Sequence, residues 1–498
     1  MKALKAETPT PPLQLAENAP ALGRKEVATG FAWNVAFTFL AKFIFPLLQV
    51  FFYRKLGPFA IGYYAVLIPI YAICDSIRDA GLSLTYVADR EANREGQYAT
   101  LAMLNAVAFA GLIYFFRMPL AAAFKMPNLD WGLQMVAFAI LLTGISTIPA
   151  NKLQKMARFR DAGLIDFLSI AGSFVVAFVL WRLGFGYKAL VWQFVFRSAF
   201  FGLGCWFLQP VHLKWIQPEV IKAVWKHASH NLLNNLLYTA YTNADNLIIT
   251  RLFGAGVVGN YNAAFTFGMK PVDFFSSPLA KTLFIAYTRK NHDKEALTNV
   301  FTRTIAVSIL CMVPLYALVG AFAEPLTTWV LSSKYTFAGP ILAVLVFYCC
   351  CRSVGLLCGN VLVAMNKPAF NVYGWVLGFA TVAAILLANL GHLTLIYVVT
   401  ALTAGAAVSY ATTAFAAFRI LTPRGENAKK LWQALAISSV SCGLAALATW
   451  LPFGAKLDFA LAAITIPIGQ FLSVAYIYTG SVKTGFSKIG LKQIYQAI

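Results

Sequence analysis

Arg54-Lys55-Leu56-Gly57, followed after four residues by Gly62-Tyr63-Tyr64, is matched far along the chain by Arg251-Leu252-Phe253-Gly254 and then Gly259-Asn260-Tyr261. Both stretches read R-x-x-G-x-x-x-x-G-x-Y at an offset of 197 residues, and the same offset pairs Asn34 with Asn231 upstream. Paired glycines build any tight turn, and Arg and Tyr are common interfacial anchors. Because the match extends into the flanking segments, it is read here as an internal repeat. Six apolar segments separate the copies, an even number, so both halves insert in the same direction. Parallel repeats place a cavity at their interface, near the bilayer midplane.

Outward from the motif the chain is apolar almost throughout. Of its 498 residues 59% are hydrophobic and 12% charged, against roughly 25% charged in soluble domains; the mean hydropathy is +0.68. A hydrocarbon core about 30 Å thick requires helical spans of about 20 apolar residues. Such runs predict an all-α integral membrane protein of about fourteen spans. They lie near 28–50, 59–85, 99–116, 131–150, 163–181, 189–208, 228–250, 257–286, 304–323, 339–363, 371–390, 394–418, 431–451 and 457–479. Residues 1–27 are broken by Lys, Glu and Pro, without the apolar core of a signal peptide, and are expected to form a disordered cytoplasmic tail.

Most of the 40 Lys and Arg fall on the side of this assignment that holds both termini and the loops around Arg90, Lys152 to Arg160, Lys214 to Lys226, Arg289 to Lys294 and Arg419 to Lys430. Both termini are therefore expected in the cytoplasm of a bacterium, with the chain in its inner membrane. The net charge of +21 then serves anionic inner-leaflet lipid. A nucleic-acid partner would need a soluble module, which the sequence does not contain. The eight cysteines all fall in apolar spans, where Cys behaves as a small hydrophobe. Cys349, Cys350 and Cys351 point about 100° apart on a helix and cannot converge on one ion. No metal site or cofactor is expected.

Five cations lie within spans: Lys42, Arg78, Arg197, Lys270 and Arg352. Each costs about 2.5–3.5 kcal/mol at a helix centre facing lipid, so they should meet a wet cavity or acids. Asp75, Asp79, Asp166, Asp245 and Asp273 are the acids at similar depth. Arg78 lies three residues after Asp75, and Asp273 three after Lys270, so a local ion pair accounts for each of those cations. Lys42, Arg197 and Arg352 have no acid three or four residues away; snorkelling is the plain explanation for them. The functional reading is that all five line a cavity for a diphosphate or acidic sugar, since Arg grips phosphate oxygens in a planar fork and Lys adds a point charge. Asp79, Asp166, Asp245 and Asp273 are candidates for coupling to H⁺ or Na⁺, because a carboxylate in low dielectric has its charged form destabilised.

The seventh span is polar on one face: Asn231, Asn234 or Asn235, Tyr238, Thr242 and Asp245 recur at steps of three or four. With Asn34 they are read as a hydrophilic cavity wall; hydrogen bonding between helices is the alternative. Pro46, Pro69, Pro271, Pro278 and the Gly355 to Gly359 pair sit where a moving helix would hinge, or where a static one kinks.

The two motif copies, together with Arg78-Asp79-Ala80-Gly81-Leu82-Ser83, Asn243-Ala244-Asp245-Asn246-Leu247-Ile248-Ile249 and Ala364-Met365-Asn366-Lys367-Pro368, resemble the polysaccharide transporters and Wzx-type oligosaccharide flippases of the multidrug/oligosaccharidyl-lipid/polysaccharide superfamily. The resemblance runs from about residue 28 to 420 by span count. It implies two parallel six-helix lobes, 28–210 and 211–420, forming a V around a cavity that opens alternately to each side. A two-helix segment and cytoplasmic C-terminus, 421–498, extend beyond that pattern. The implied work is moving a lipid-linked anionic oligosaccharide, of the undecaprenyl-diphosphate type, with membrane lipids and other polysaccharide-assembly proteins as partners.

Three alternatives compete. A multidrug exporter favours an acidic cavity for cationic ligands, while a peptidoglycan-lipid transporter shares the superfamily. A membrane polymerase or ligase would need a sizeable outward loop with catalytic groups, and the outward loops here are short. No G-x-x-x-x-G-K-[ST] loop is present for nucleotide hydrolysis, and the chain is expected not to be an enzyme.

Overall fold

The computed structural model describes residues 24–89, 94–126, 128–289 and 293–448. The expected tail up to residue 23, the loop at Arg90 and the expected span 457–479 lie outside them. Every regular element among the described residues is a helix. They are α1 (Arg24–Leu56), α2 (Pro58–Asp79), α3 (Leu82–Ala88), α4 (Glu95–Phe124), α5 (Leu129–Lys155), α6 (Phe159–Arg182), α7 (Lys188–Leu208) and α8 (Pro218–Phe253). There follow α9 (Ala255–Pro271), α10 (Ser277–Arg289), α11 (Lys294–Ala321), α12 (Ala323–Val330), α13 (Ala338–Ala364), α14 (Ala369–Ala388), α15 (Leu395–Leu421) and α16 (Glu426–Ala448). Ten of these are long and apolar enough to cross a membrane: α1 from Trp33, α2, α4 to α7, α11 and α13 to α15. The expected spans 228–250, 257–286 and 431–451 fall on α8, on α9 with α10, and on α16, which are outside that set.

Two expected spans are not continuous helices. Span 59–85 breaks after Asp79: Ala80 (φ 43°) and Gly81 (φ 78°) are both left-handed, and α3 starts anew at Leu82. Span 257–286 instead carries a π-helical turn, Val272–Ser276, directly after Pro271. A π turn is one of the few ways a helix absorbs a residue that cannot donate its backbone hydrogen bond.

The chain separates into two compact units, Met1–Gly259 and Asn260–Ile498. In the first unit α4 lies along α5, α6 packs on α1 and α7, and α5 on α7. Small residues allow the close approach, as where Gly144 meets the Ala106 side chain and the Ala102 carbonyl; membrane helices pack through such small faces because lipid offers no hydrophobic gain between them. α8 belongs to this unit by packing, against α2, α3 and α4. Its lead-in is tied to α4: Lys214 N donates to the Gly96 carbonyl (3.3 Å), Thr100 Oγ1 to the Lys214 carbonyl (2.8 Å) and Gln217 N to Gln97 Oε1 (3.1 Å). The contact boundary thus differs from the 210/211 boundary expected from the repeat. In the second unit α13, α14 and α15 pack through Gly355, Gly374 and Gly405. α16 lies along α11, with Ser438 Oγ donating to the Ile309 carbonyl (3.2 Å) and Asn427 to Asn299 (2.6 Å).

Both motif copies fold alike. Gly57 (φ 80°, ψ 171°) and Gly254 (φ 81°, ψ −176°) take the same backbone conformation, one open essentially only to glycine. Each closes the preceding helix through its N–H, to the Tyr53 and Thr250 carbonyls, and starts the next through its carbonyl, to Ile61 and Val258. The second motif glycines have another purpose. A β-carbon on Gly62 would overlap the Ala255 carbonyl oxygen, and one on Gly259 the Pro58 carbonyl oxygen. Ala255 is the repeat equivalent of Pro58, so the two contacts are reciprocal.

Candidate substrate cavity

The first unit contains an open polar cavity of about 470 Å³. One wall is the end of α2, with Asp75, Ser76, Arg78 and Asp79, continued by Ser83 of α3. α5 supplies Thr143, Ser146, Thr147, Asn151 and Gln154; α8 supplies Asn235, Tyr238 and Thr239; Phe201 of α7 closes one side. The hydroxyls and amides face the cavity because the helices bury their apolar faces elsewhere. On α5 Leu129, Leu133, Val136 and Ile140 are fully buried.

Arg78 is only 3% exposed. Its Nη2 and Nε reach Asp75 Oδ1 at 2.8 and 2.9 Å, and its Nη1 donates to Thr147 Oγ1 at 3.0 Å. Two helices therefore hold the guanidinium, and a buried charge of this kind is tolerable only when so paired. Asp79 lies one turn further on and accepts a hydrogen bond from Ser83 Oγ at 2.5 Å, across the break between α2 and α3. Asn151 Nδ2 donates to the same Ser83 oxygen at 2.9 Å, so the break is braced from α5.

The remaining sequence candidates fall in several places. Asn235 and Tyr238 line the cavity; Thr242 is turned back onto its own helix, donating to the Tyr238 carbonyl. Asp245 is buried, with Oδ1 accepting the Asn246 N–H at 2.8 Å. The face drawn from Asn235 to Asp245 thus passes from cavity wall to protein interior. The side chain of Asn231 lies outside the described residues. Asn34 accepts from Thr38 at 3.3 Å and packs beside Gly163 of α6. Lys42 is half-buried on α1. Arg197 of α7 meets Asp166 of α6 at 3.6 Å, both nearly half exposed, which supplies the acid that local spacing lacks. In the second unit Arg352 donates to the Tyr348 hydroxyl at 3.0 Å, and Lys270 precedes the π turn that carries Asp273. The motif residues Arg54 and Arg251 are exposed, while Tyr64 is half-buried and Tyr261 buried.

Sequence reasoning missed the α5 wall. Its signal was present: Thr143, Thr147, Asn151 and Gln154 recur at helical spacing within an otherwise apolar segment, one polar face by the criterion applied to α8. At one end of this wall Lys155 Nζ sits 4.7 Å above the Tyr86 ring and donates to the Tyr86 carbonyl at 3.2 Å. Burial, with the charge of Glu95 behind it, pushes the Tyr86 hydroxyl pKa up.

Comparison with known proteins agrees with this architecture. The chain is 24% identical to the succinoglycan biosynthesis transport protein ExoT of Rhizobium meliloti over 66% of its own length and 67% of that protein's. It is 23% identical to the lipopolysaccharide biosynthesis protein WzxC of Escherichia coli K12, over 70% and 73%. Among solved structures, the lipid II flippase MurJ in an inward closed conformation superposes with a TM-score of 0.72 over 90% of this chain and 99% of that one, at 11% identity. An inward-facing multidrug resistance transporter of the MATE family superposes at 0.62, over 78% and 98%, also at 11% identity; likenesses this remote speak for the fold alone. The family model described as "Polysaccharide biosynthesis protein" matches residues 52–340, more than half of the chain, and the chain belongs to that family.

Proposed function

We propose that this protein is a flippase that carries a lipid-linked oligosaccharide across the bacterial inner membrane by alternating access, with a polyprenyl diphosphate as the carrier. The observation that carries the reading is a polar cavity lined by carboxylate, amide and hydroxyl groups among helices long and apolar enough to span a bilayer. Lipid-facing surface has no use for such groups, whereas a passing glycan must exchange its water for them. Membership of a polysaccharide biosynthesis family, and likeness to relatives named for polysaccharide transport, support the same reading over drug export or polymerisation. In the full scheme twelve of fourteen helices form two parallel six-helix halves, 28–210 and 211–420, the last two follow in 421–498, and both termini are cytoplasmic. Lys42, Arg197, Lys270 and Arg352 bind the anionic carrier headgroup, and one of Asp79, Asp166, Asp245 or Asp273 couples transport to H⁺ or Na⁺.

The test is a deletion strain probed for the side on which lipid-linked oligosaccharide accumulates. Loss of a flippase leaves completed units facing inward; single units facing outward would instead mark a polymerase. In vesicles, Arg197→Gln and Arg352→Gln should abolish flipping with insertion intact, and unchanged flipping removes those residues from the mechanism. Ion-driven flipping that survives neutralisation of each of the four aspartates in turn ends the coupling assignment.

A further inference from the structure

The cations expected to make this cavity attractive to anions do not do so in the first unit. Among the described residues that line it, the ionisable side chains are Asp75, Arg78 and Asp79. Arg78 is buried and already committed to Asp75 and Thr147. Three of its five N–H groups are already given to those partners, and at 3% exposure little of the guanidinium is left for a phosphate. Among the described lining residues the remaining charge is Asp79, so their balance is one negative charge. Like charges repel, so Asp79 disfavours an anion placed beside it.

The groups around Asp79 have the chemistry of sugar recognition. Carboxylates accept from hydroxyl pairs, while the primary amides of Gln154 and Asn235 donate and accept at once, matching hydroxyls that do both; Asn151 gives its N–H groups to Ser83 and the Thr147 carbonyl and offers its oxygen. The Tyr238 and Phe201 rings add apolar faces of the kind a pyranose presents along its C–H side. The volume, about 470 Å³, is within the roughly 300–1,000 Å³ range of small-molecule sites. Asp79 is positioned by Ser83, and Ser83 by Asn151. The carboxylate is therefore oriented before a ligand arrives, which lowers the ordering cost of binding.

We infer that this cavity is a glycan subsite that takes an uncharged or amino sugar and rejects acidic sugars and the diphosphate, with Asp79 as the discriminating residue. The inference rests on the flippase reading and narrows it: the glycan and the headgroup are held apart, and the anion is bound elsewhere than on the Asp75–Asp79 wall.

The full-length protein in nanodiscs, observed by saturation-transfer NMR, gives the test, with methyl glucoside, methyl glucosaminide, methyl glucuronide and inorganic pyrophosphate as probes. The glucoside and glucosaminide should receive saturation at least about threefold more strongly than the glucuronide, a difference one unscreened charge readily supplies. Pyrophosphate should not displace them. Gln154→Ala should weaken the glucoside signal, and Asp79→Asn should raise the glucuronide signal to the glucoside level, a gain that damage to the fold would not produce. Equal or stronger transfer to the glucuronide in the unmodified protein, displacement by pyrophosphate, or no transfer to any sugar overturns the subsite. The two readings separate cleanly. A protein that flips lipid-linked oligosaccharide yet fails these tests loses only the subsite, whereas one that passes them and flips nothing loses the transport assignment.

Discussion

The end of α2 and the end of α9 begin from similar instructions and finish differently. Each is the helix that follows a motif copy, and each carries an acid and a cation three residues apart, Asp75 with Arg78 and Lys270 with Asp273. In α2 the helix stops one residue after Arg78, with Ala80 and Gly81 left-handed. The repeat equivalent of Gly81 is Pro278, the second residue of α10, and no such reversal occurs; the π turn at Val272–Ser276 carries the helix from α9 past Pro271 into α10 instead. Glycine reaches the left-handed region without steric cost and proline cannot. The consequence is electrostatic as well as geometric. Arg78 is sealed against Asp75 and Thr147 at 3% exposure, while Lys270 and Asp273 stay half-buried. Similar charges in the opposite order thus give a structural ion pair at the end of α2, while Lys270 and Asp273 stay half-buried.

The comparison can be broken most forcefully at the acids. Asp75→Ala strands a buried guanidinium and should cost about 3–5 kcal/mol, read as a large fall in the melting temperature of the detergent-purified protein. Asp273→Ala should cost less than Asp75→Ala by the same measurement, since Lys270 is half-buried whereas Arg78 is 3% exposed. Equal losses would show that the two pairs are equivalent after all. The reciprocal glycine contacts come next. Gly62→Ala and Gly259→Ala each force a methyl group into a backbone carbonyl, and each should lose about 1–3 kcal/mol. A loss at only one of the two would contradict the reciprocity between the copies. The helix break gives a modest effect: Gly81→Ala must place a β-carbon in the left-handed region, at about 1–2 kcal/mol. An unchanged melting temperature there would mean that Asp79 and Ser83 do not depend on that turn.

Much of this was legible in the sequence because membrane insertion imposes length and polarity on each segment separately. The helices α4, α5, α6, α7 and α13 each cover the run expected for them, while α14 stops two residues short of its expected end and α15 starts one residue late. The motif glycines were legible too, since the two copies carry the same residues at the same spacing and fold to the same dihedral angles. Less visible was the split of span 59–85, because Asp75, Arg78 and Asp79 read equally well as charges facing a cavity within one continuous span. Asn235 and Tyr238 were found through their helical spacing. Asn151 and Gln154 were legible by the same rule, but they lie near the charged end of α5, where a polar side chain draws no notice.

By itself the sequence determined that this chain is a bundle of membrane-spanning helices with a duplicated glycine motif and a few charges too costly to leave in lipid. Those are local properties, fixed by the free energy of placing each residue at its depth. The Asp75–Arg78 pair could be read from its spacing. But tertiary structure alone gave Arg78 its second partner, Thr147 of α5, and Arg197 of α7 its acid, Asp166 of α6, across separations that no periodicity encodes. Partner choice follows from helix packing, so whether the cavity wall is basic or acidic emerged only once the helices were assembled.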